Sequence, residues 1–388
     1  SMTTSYNTIL GTDTANNIVG TSGADSINAI QGDDFINGLG GADLLFGGQG
    51  NDQLSETTTA NSAVLYGNKG NDTLTISASA SAATLYGGQG NDQLVFTAAA
   101  FTNGYASGGI GEDTLTFASV FGSSLSGGGT SGSADGNDSI SVTTSLSASF
   151  IDANAGNDLV SIGGGGQSST IRGGAGDDQV TFAGTLTNTQ IWGDLGNDTL
   201  LLSNNNFVNA ATVYGDNTST SGGNDSIVLL TTNNISSTQI IAGVGNDVLN
   251  VTAAQFLNTT IQANGGDDFV TLGGSFISAT VYGGAGNDTL NFSGTGVSAG
   301  VFFADAGSDS INGTVNAATI YGDNSSANGN DTLNLTGSSM FVEAGQGNDI
   351  FGTGGYSSST LYAGQGNDTM TFGARVQRPL ASISTPVT

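Results

Sequence analysis

One five-residue pattern, Gly-x-Asp-x-apolar, recurs nineteen times along this chain. Its aspartates are Asp25, Asp34, Asp43, Asp52, Asp72, Asp92, Asp113, Asp138, Asp158, Asp178, Asp198, Asp225, Asp247, Asp268, Asp288, Asp309, Asp331, Asp349 and Asp368. The residue before the aspartate is Asn in twelve copies. A chain that repeats one short unit so often stacks its repeats, so that each contacts only its neighbours and the core is a ladder. Nineteen of the 32 acidic residues hold this one equivalent position. Acidity that served solubility alone would not stay in register.

The spacing sets the architecture. The first four aspartates lie 9 residues apart, and most later ones 18 to 22 apart, with two longer gaps of 25 and 27. Nine residues make one strand and one turn, so eighteen to twenty make one full coil. After each aspartate, apolar and polar residues alternate, as in Thr73-Leu74-Thr75-Ile76 and Thr289-Leu290-Asn291-Phe292. This period of two describes a half-buried strand. A second strand precedes each turn, as in Leu65-Tyr66-Gly67, Ile191-Trp192-Gly193 and Leu361-Tyr362-Ala363, with the aliphatic residue inward and the aromatic outward. Phe101, Phe121, Phe207 and Phe256 are expected to plug the core near the far turn. The pattern predicts an all-β, parallel β-roll or β-helix solenoid of about 20-residue coils. It divides into an N-terminal cap over 1–20, nonapeptide repeats with two metal edges over 21–55, an extended solenoid with one metal edge over 56–372, and a tail or truncated linker over 373–388. In the cap, Asn16 and Ile18 stand in the aspartate and apolar positions of a degenerate first repeat. Ser1-Met2 resembles a cloning scar, so native targeting information could be missing.

Composition narrows the chemistry. The chain has 388 residues and a formal net charge of −28, with only four basic residues, Lys69, Arg172, Arg375 and Arg378. Such a surface argues against nucleic acid or an anionic membrane as partner. No run of apolar residues is long enough to span a bilayer. Cys and His are both absent, which removes disulfides, zinc sites and thiol or imidazole catalysis. Oxygen-ligated cations remain, and calcium takes only oxygen.

The full turn reads Gly-Gly-Gln-Gly-Asn-Asp at 87–92 and Gly-Gly-Ala-Gly-Asn-Asp at 283–288. Its glycines permit a left-handed bend that turns carbonyl oxygens inward. Where the glycine four before the aspartate is lost, Asn68, Asn154, Asp194, Asn264 or Asp305 replaces it, the residue types that best tolerate that backbone after glycine. A single turn offers too few oxygens for a calcium shell of about 6–8. The ion is therefore expected between successive coils. Asp135, Asp216 and Asp323, in three turns with insertions, are either extra ligands or solvated loop residues. Asp33, Asp177, Asp267 and Glu112, beside motif aspartates, are expected to face solvent.

These turns resemble the RTX family, the glycine-rich nonapeptide calcium-binding repeats of secreted bacterial proteins. The likeness covers about residues 20–372. It implies a right-handed β-roll, calcium on the nineteen motif aspartates and turn carbonyls, and a secreted, extracellular or cell-surface location. The chain departs from the family after residue 55, where the far turns carry Ser, Thr, Ala and Asn without aspartate, as in Ser77-Ala78-Ser79-Ala80. One long metal row is expected from Asp34 through Asp52 to Asp368, and a short opposite row at Asp25 and Asp43. Roughly 12–17 calcium ions follow from shared sites. Fourteen divalent ions would cancel the charge of −28.

One metal site repeated many times suits mechanical order. The expected function is an extracellular calcium-binding structural protein, folding and assembling with calcium into a surface-layer-like scaffold. The alternative is a calcium-triggered folding and adhesion module of a larger secreted protein. Self-assembly and cell-surface polysaccharide are the candidate partners. No catalytic residues are identified and no enzyme is expected. A regular Thr-x-Thr ice-binding face is broken at Gln93/Val95, Leu159/Ser161 and Val248/Asn250. The outward aromatics Tyr66, Tyr86, Trp192, Tyr214, Tyr282, Tyr321 and Tyr362 are interrupted by Asp152, Arg172 and Gln262, which favours packing over a binding stripe.

Overall fold

The computed structural model describes residues 5–97, 100–128, 135–203, 207–217, 222–294, 296–324, 328–371 and 382–384. Every regular element among them is a β-strand, and each pairing within a unit is parallel. No helix among them is long and apolar enough to cross a membrane. The chain forms two units, 1–184 with 189–191, and 185–188 with 192–388. Both are solenoids of coils of about 20 residues.

In the first unit, each coil contributes one strand before the aspartate turn and one after it. Thr84–Gln89 pairs with Val64–Lys69 on one side and Tyr105–Ile110 on the other. Gln93–Phe96 pairs with Thr73–Ile76 and with the first half of Thr114–Phe121. The second unit repeats this plan, with Thr280–Ala285 between Thr260–Gly265 and Val301–Ala306. Register follows the alternating pattern, since a slip of one residue would turn every apolar side chain outward. Ile27, Leu45, Leu65 and Leu85 thus stack on one inner wall, and Ile36, Leu54, Leu74, Leu94 and Leu115 on the other, all fully buried. Burying each such side chain contributes roughly 1.5–3 kcal/mol. No single coil holds enough of them to fold alone.

The outward aromatics pack on one another from coil to coil. Phe46, Tyr66 and Tyr86 stack with ring centroids 5.2 and 5.0 Å apart. In the second unit Tyr282, Phe303 and Tyr321 stack at 5.2 and 4.9 Å. The expected core plugs divide. Phe101 and Phe256 are fully buried, but Phe121 is 37% and Phe207 43% exposed. Val120 pairs with Phe101, and Val208 with Leu186, so the inward position lies one residue before Phe121 and one residue after Phe207. The two exposed rings are shifted to the outer face by the period-two pleat.

At the N-terminus, Asn17–Val19 pairs with Phe35–Asn37, which puts Ile18 opposite Ile36. Most of the sequence after 371 lies outside the described residues. Within it, Ser382–Ser384 adds one strand parallel to Thr360–Gln365.

Each coil also bends at its far edge through one left-handed residue. From Ser62 onward these are Ser62, Ala82, Asn103, Gly122, Ala148 and Ser168 in the first unit and Asn188, Ala210, Ser237, Asn258, Ser278, Ala299, Ala317, Ser339 and Ser358 in the second, with φ between 47 and 59°.

Leu94 lies between Leu74 and Leu115, so Leu94→Ala removes contacts to both neighbouring coils. At fixed calcium, denaturant unfolding should show a loss of about 2–5 kcal/mol. Ile110→Ala, at a residue 46% exposed, should stay within about 0.5 kcal/mol.

Candidate metal centre

The turn backbone adopts the bend that the motif demands. Gly88 and Gly90 have φ of 124 and 123°. The residues standing in for the first of these, Asn68, Asn154, Asp194, Asn264 and Asp305, are left-handed with φ between 77 and 85°. Ile30 and Leu39 occupy the same position at φ 81 and 76°. A β-branched residue is costly there, and only the surrounding turn can hold it.

This bend aims each motif aspartate at the coil before it. The backbone N–H of Asp72 donates to Asp92 Oδ1 at 2.7 Å, and that of Asp92 to Asp113 Oδ1 at 2.7 Å. In the first unit the row runs from Asp34 through Asp52, Asp72, Asp92, Asp113, Asp138 and Asp158 to Asp178. Asn16 precedes it, its N–H donating to Asp34 Oδ1 at 2.6 Å. In the second unit the row runs from Asp198 through Asp225, Asp247, Asp268, Asp288, Asp309, Asp331 and Asp349 to Asp368. All of these carboxylates are buried except that of Asp368, which is half-buried at the end of its row.

The Asn preference before the aspartate has its own cause. The N–H of Asn91 donates to Asn71 Oδ1 at 2.8 Å, and that of Asn71 to Asn51 Oδ1 at 2.7 Å. This outer ladder runs in the opposite direction to the inner one. A short side chain with an oxygen acceptor is all it needs, so Asp33, Asp267 and Ser308 also serve. Asp33, Glu112, Asp177 and Asp267 are exposed there, as expected.

With Oδ1 fixed by the backbone, the second carboxylate oxygen turns inward. Oδ2 of Asp52, Asp72, Asp92, Asp113, Asp138, Asp158, Asp225, Asp247, Asp268, Asp288, Asp309, Asp331 and Asp349 is buried with no hydrogen-bond partner. Buried anionic oxygens without partners carry a large desolvation cost. A cation is the ordinary remedy. In several coils a glycine five residues before the aspartate keeps the space, while Ala153, Ala242, Ala263, Ala304 and Ala344 take that place in others. A Cβ on Gly67 would land against Asp72 Oδ2 and the Gly87 carbonyl oxygen of the next coil. One on Gly87 would meet Asp92 Oδ2 and the Gly108 carbonyl, and one on Gly283 would meet Asp288 Oδ2 and the Ala304 carbonyl. A carboxylate oxygen and a carbonyl from successive coils thus face the same point. Among the described residues no three His, Cys, Asp or Glu side chains converge. A cation here must therefore take much of its shell from backbone carbonyls, which suits calcium's oxygen preference.

Electrostatics agree with that need. Burial raises the carboxyls of Asp72, Asp92, Asp113, Asp158 and Asp331 to about 7, and those of Asp138, Asp225, Asp268 and Asp309 to about 8. The backbone N–H bond pulls each down, and neighbouring carboxylates push most of them further up.

The opposite edge changes character along the first unit. Asp25 N–H donates to Asp43 Oδ1 at 2.7 Å, as in the long row. Asp25 differs in that its Oδ2 accepts from the Thr21 N–H at 2.6 Å and its Oδ1 from Asn7 Nδ2 at 2.8 Å. After Asp43, the same register position holds Ala63, Ala83, Gly104, Ser123, Ser149 and Ser169. The serines take over the ladder bond. Gly104 N–H donates to Ser123 Oγ at 2.9 Å, Ser123 N–H to Ser149 Oγ at 3.2 Å, and Ser149 N–H to Ser169 Oγ at 3.2 Å.

Asp216 and Asp323 are not solvated, as each is only 5% exposed. Asp216 accepts from Val244 N–H at 2.7 Å and Gly223 N–H at 3.2 Å. Asp323 Oδ2 accepts from Gln346 N–H at 2.9 Å and Gly329 N–H at 3.2 Å. Both carboxylates tie an inserted turn to the following coil. Asp135 is half-buried and accepts from Gly136 N–H at 3.2 Å. Sequence reasoning missed Glu56, which is fully buried and lies outside the repeated motif.

Comparison with known proteins agrees with this geometry. The family model for the RTX calcium-binding nonapeptide repeat matches residues 10–38, 19–54, 59–94, 162–184, 280–294 and 351–374. Comparison with curated proteins gives no match. Among solved structures, the chain is similar to a hyperactive, Ca2+-dependent, β-helical antifreeze protein from an Antarctic bacterium. The two share 18% identity over 80% of this chain and 84% of that one, with a TM-score of 0.47. Over these segments the motif of the aspartate row matches the RTX repeat, and the chain is a β-solenoid carrying RTX calcium-binding nonapeptide repeats, with calcium as its cofactor.

Proposed function

We propose that this chain is a secreted, non-catalytic structural protein. Calcium bound along its aspartate rows folds it and lets it assemble as a cell-surface, surface-layer-like scaffold. The observation that carries the reading is the row of buried, inward-facing aspartate oxygens that recurs coil after coil. The nineteen motif aspartates are the proposed ligands, with turn carbonyls of adjacent coils completing the shell at sites such as those of Asp72, Asp92 and Asp288. Function is spread evenly over the chain, and chemistry of that kind supports order over length. The alternative, a calcium-triggered adhesion module, uses the same folding switch and differs in remaining monomeric.

Calcium outside cells is millimolar, and binding sites of extracellular modules have Kd values on the order of 10⁻⁴–10⁻³ M. Binding free energy then becomes folding free energy. Chelation should collapse the β-signal in circular dichroism, and added calcium should restore it. A β-signal indifferent to chelator refutes the reading. Electron microscopy of the calcium-loaded protein separates the two roles, with ordered sheets expected for the scaffold and isolated particles for the module.

Protons should substitute for calcium in part. The raised carboxyls lie near 6–8 in the fold against 3.8 in an unperturbed chain. Between these values the folded state holds more protons than the unfolded one, so stability falls as pH rises. The contribution is complete below about pH 4 and lost by about pH 8. Calcium-depleted protein should therefore regain β-signal near pH 4 and lose it towards pH 8, while calcium-loaded protein keeps it at pH 8. Circular dichroism across that range checks this, and a calcium-depleted form that grows more stable with rising pH contradicts it.

A further inference from the structure

Glu56 is the most deeply buried acid outside the motif, 0% exposed, and neither of its carboxylate oxygens meets a hydrogen-bond donor. Its place in the stack explains what it faces. Gly20, Gly38 and Glu56 follow one another coil by coil, as Gly20 N–H donates to Asn37 O and Gly38 N–H to Ser55 O. The next residues in that column are Ile76, Phe96 and Phe117. Glu56 is thus the one residue between the glycines of a metal-type turn and the apolar core that replaces them.

The short row has a defined arrangement. A Cβ on Gly20 would meet Asp25 Oδ2 and the Gly38 carbonyl of the next coil, the same pairing found along the long row. At Gly38 the pairing changes. A Cβ there would meet Asp43 Oδ2 and, from the next coil, Glu56 Oε1. Asp43 is 1% exposed and its Oδ2 also lacks a partner. The glutamate oxygen therefore stands where the pairings at Gly20, Gly67, Gly87 and Gly283 have a backbone carbonyl. Two facing carboxylates cannot donate to each other when ionised, so together they need a proton or a cation.

We propose that Asp43 and Glu56 hold a terminal cation, calcium, that closes the short metal row, with the Glu56 side chain replacing the carbonyl that a further repeat would have supplied. The proposal rests on the reading that calcium fills the aspartate rows. It adds a ligand that the repeat pattern does not contain. It also accounts for an acid at a position that is apolar from the next coil onward: the row ends on a side chain because no further turn of its kind follows.

The test counts ions on the full chain by native mass spectrometry in saturating calcium. Glu56→Ile places at 56 the residue that Ile76 already provides one coil later. It is expected to fold with calcium, by circular dichroism, and to carry one calcium fewer than the parent. An unchanged count overturns the proposal and leaves Glu56 as an acid that shares a proton with Asp43. Should Glu56→Ile fail to fold, Glu56→Gln keeps the size and one oxygen. It is expected to weaken a single site at least tenfold in calcium titration calorimetry, and a titration superimposable on the parent's overturns the proposal. A parent chain that binds no calcium fails the broader reading instead, so the two failures are distinct.

Discussion

Within each unit's long row, one motif aspartate after another is held by the coil before it, through a backbone N–H that donates to its Oδ1. That bond fixes the register of the turn and spends one oxygen of every carboxylate. It also forces like charges into a column with the spacing of neighbouring strands, about 4.8 Å. At an effective dielectric of about 20, two such charges repel by roughly 3 kcal/mol. The backbone geometry that orders the solenoid therefore creates the electrostatic problem that the solenoid must solve. Oδ2 has nowhere to find a donor, because the ladder bonds already engage the nearest N–H groups. The other groups at that point are carbonyl oxygens, which also only accept, so only a proton or a cation can join them.

The two edges of the coil answer the same backbone requirement with different chemistry. On one edge the acceptor is a carboxylate, which brings the charge with it. On the other, after Asp43, the acceptor is a serine hydroxyl at Ser123, Ser149 and Ser169, and in the second unit Met340 N–H donates to Ser359 Oγ at 3.1 Å. A hydroxyl makes the ladder bond and then donates its own hydrogen to a nearby carbonyl, as Ser149 Oγ does to Ser147 O at 2.7 Å. It leaves no orphan and needs no ion. Other coils fill the place with alanine, and there the left-handed residue before it and the apolar strand hold the bend. One edge thus leaves carboxylate oxygens that call for a cation and the other, after Asp43, does not, and Glu56 stands where the second edge changes from one solution to the other.

Much of this was legible in the sequence because the repeat is dense. Nineteen aspartates in one register fixed the coil length, the strand before and after each turn, and the left-handed places taken by Asn68, Asn154, Asp194, Asn264 and Asp305. What escaped had no repeated signature. Phe121 and Phe207 look like core residues by type, and a one-residue difference in the far turn places them outside. The far turns bend through alanine, serine and asparagine, types common enough that their left-handed role carries no signal. The frequency of Asn before the aspartate was visible, but its cause, a hydrogen bond between residues about 20 apart, is a property of the stack. Glu56 occurs once, and only the column of Gly20 and Gly38 gives it a meaning.

The energetics of such a row differ from those of a single strong site. A site filled to ten times its Kd adds only about 1.4 kcal/mol. A dozen independent sites of that kind together add about 17 kcal/mol, which exceeds the roughly 5–15 kcal/mol that separates an ordinary folded domain from its unfolded chain. Weak sites in number can therefore decide whether the chain folds, with no site needing a tight or specialised cage. An ion held between two coils, as proposed, makes its gain a nearest-neighbour term as well, as is the burial of Leu74 against Leu94. Metal and core act through the same interface between coils, so filling one site favours the coil geometry that the next site requires.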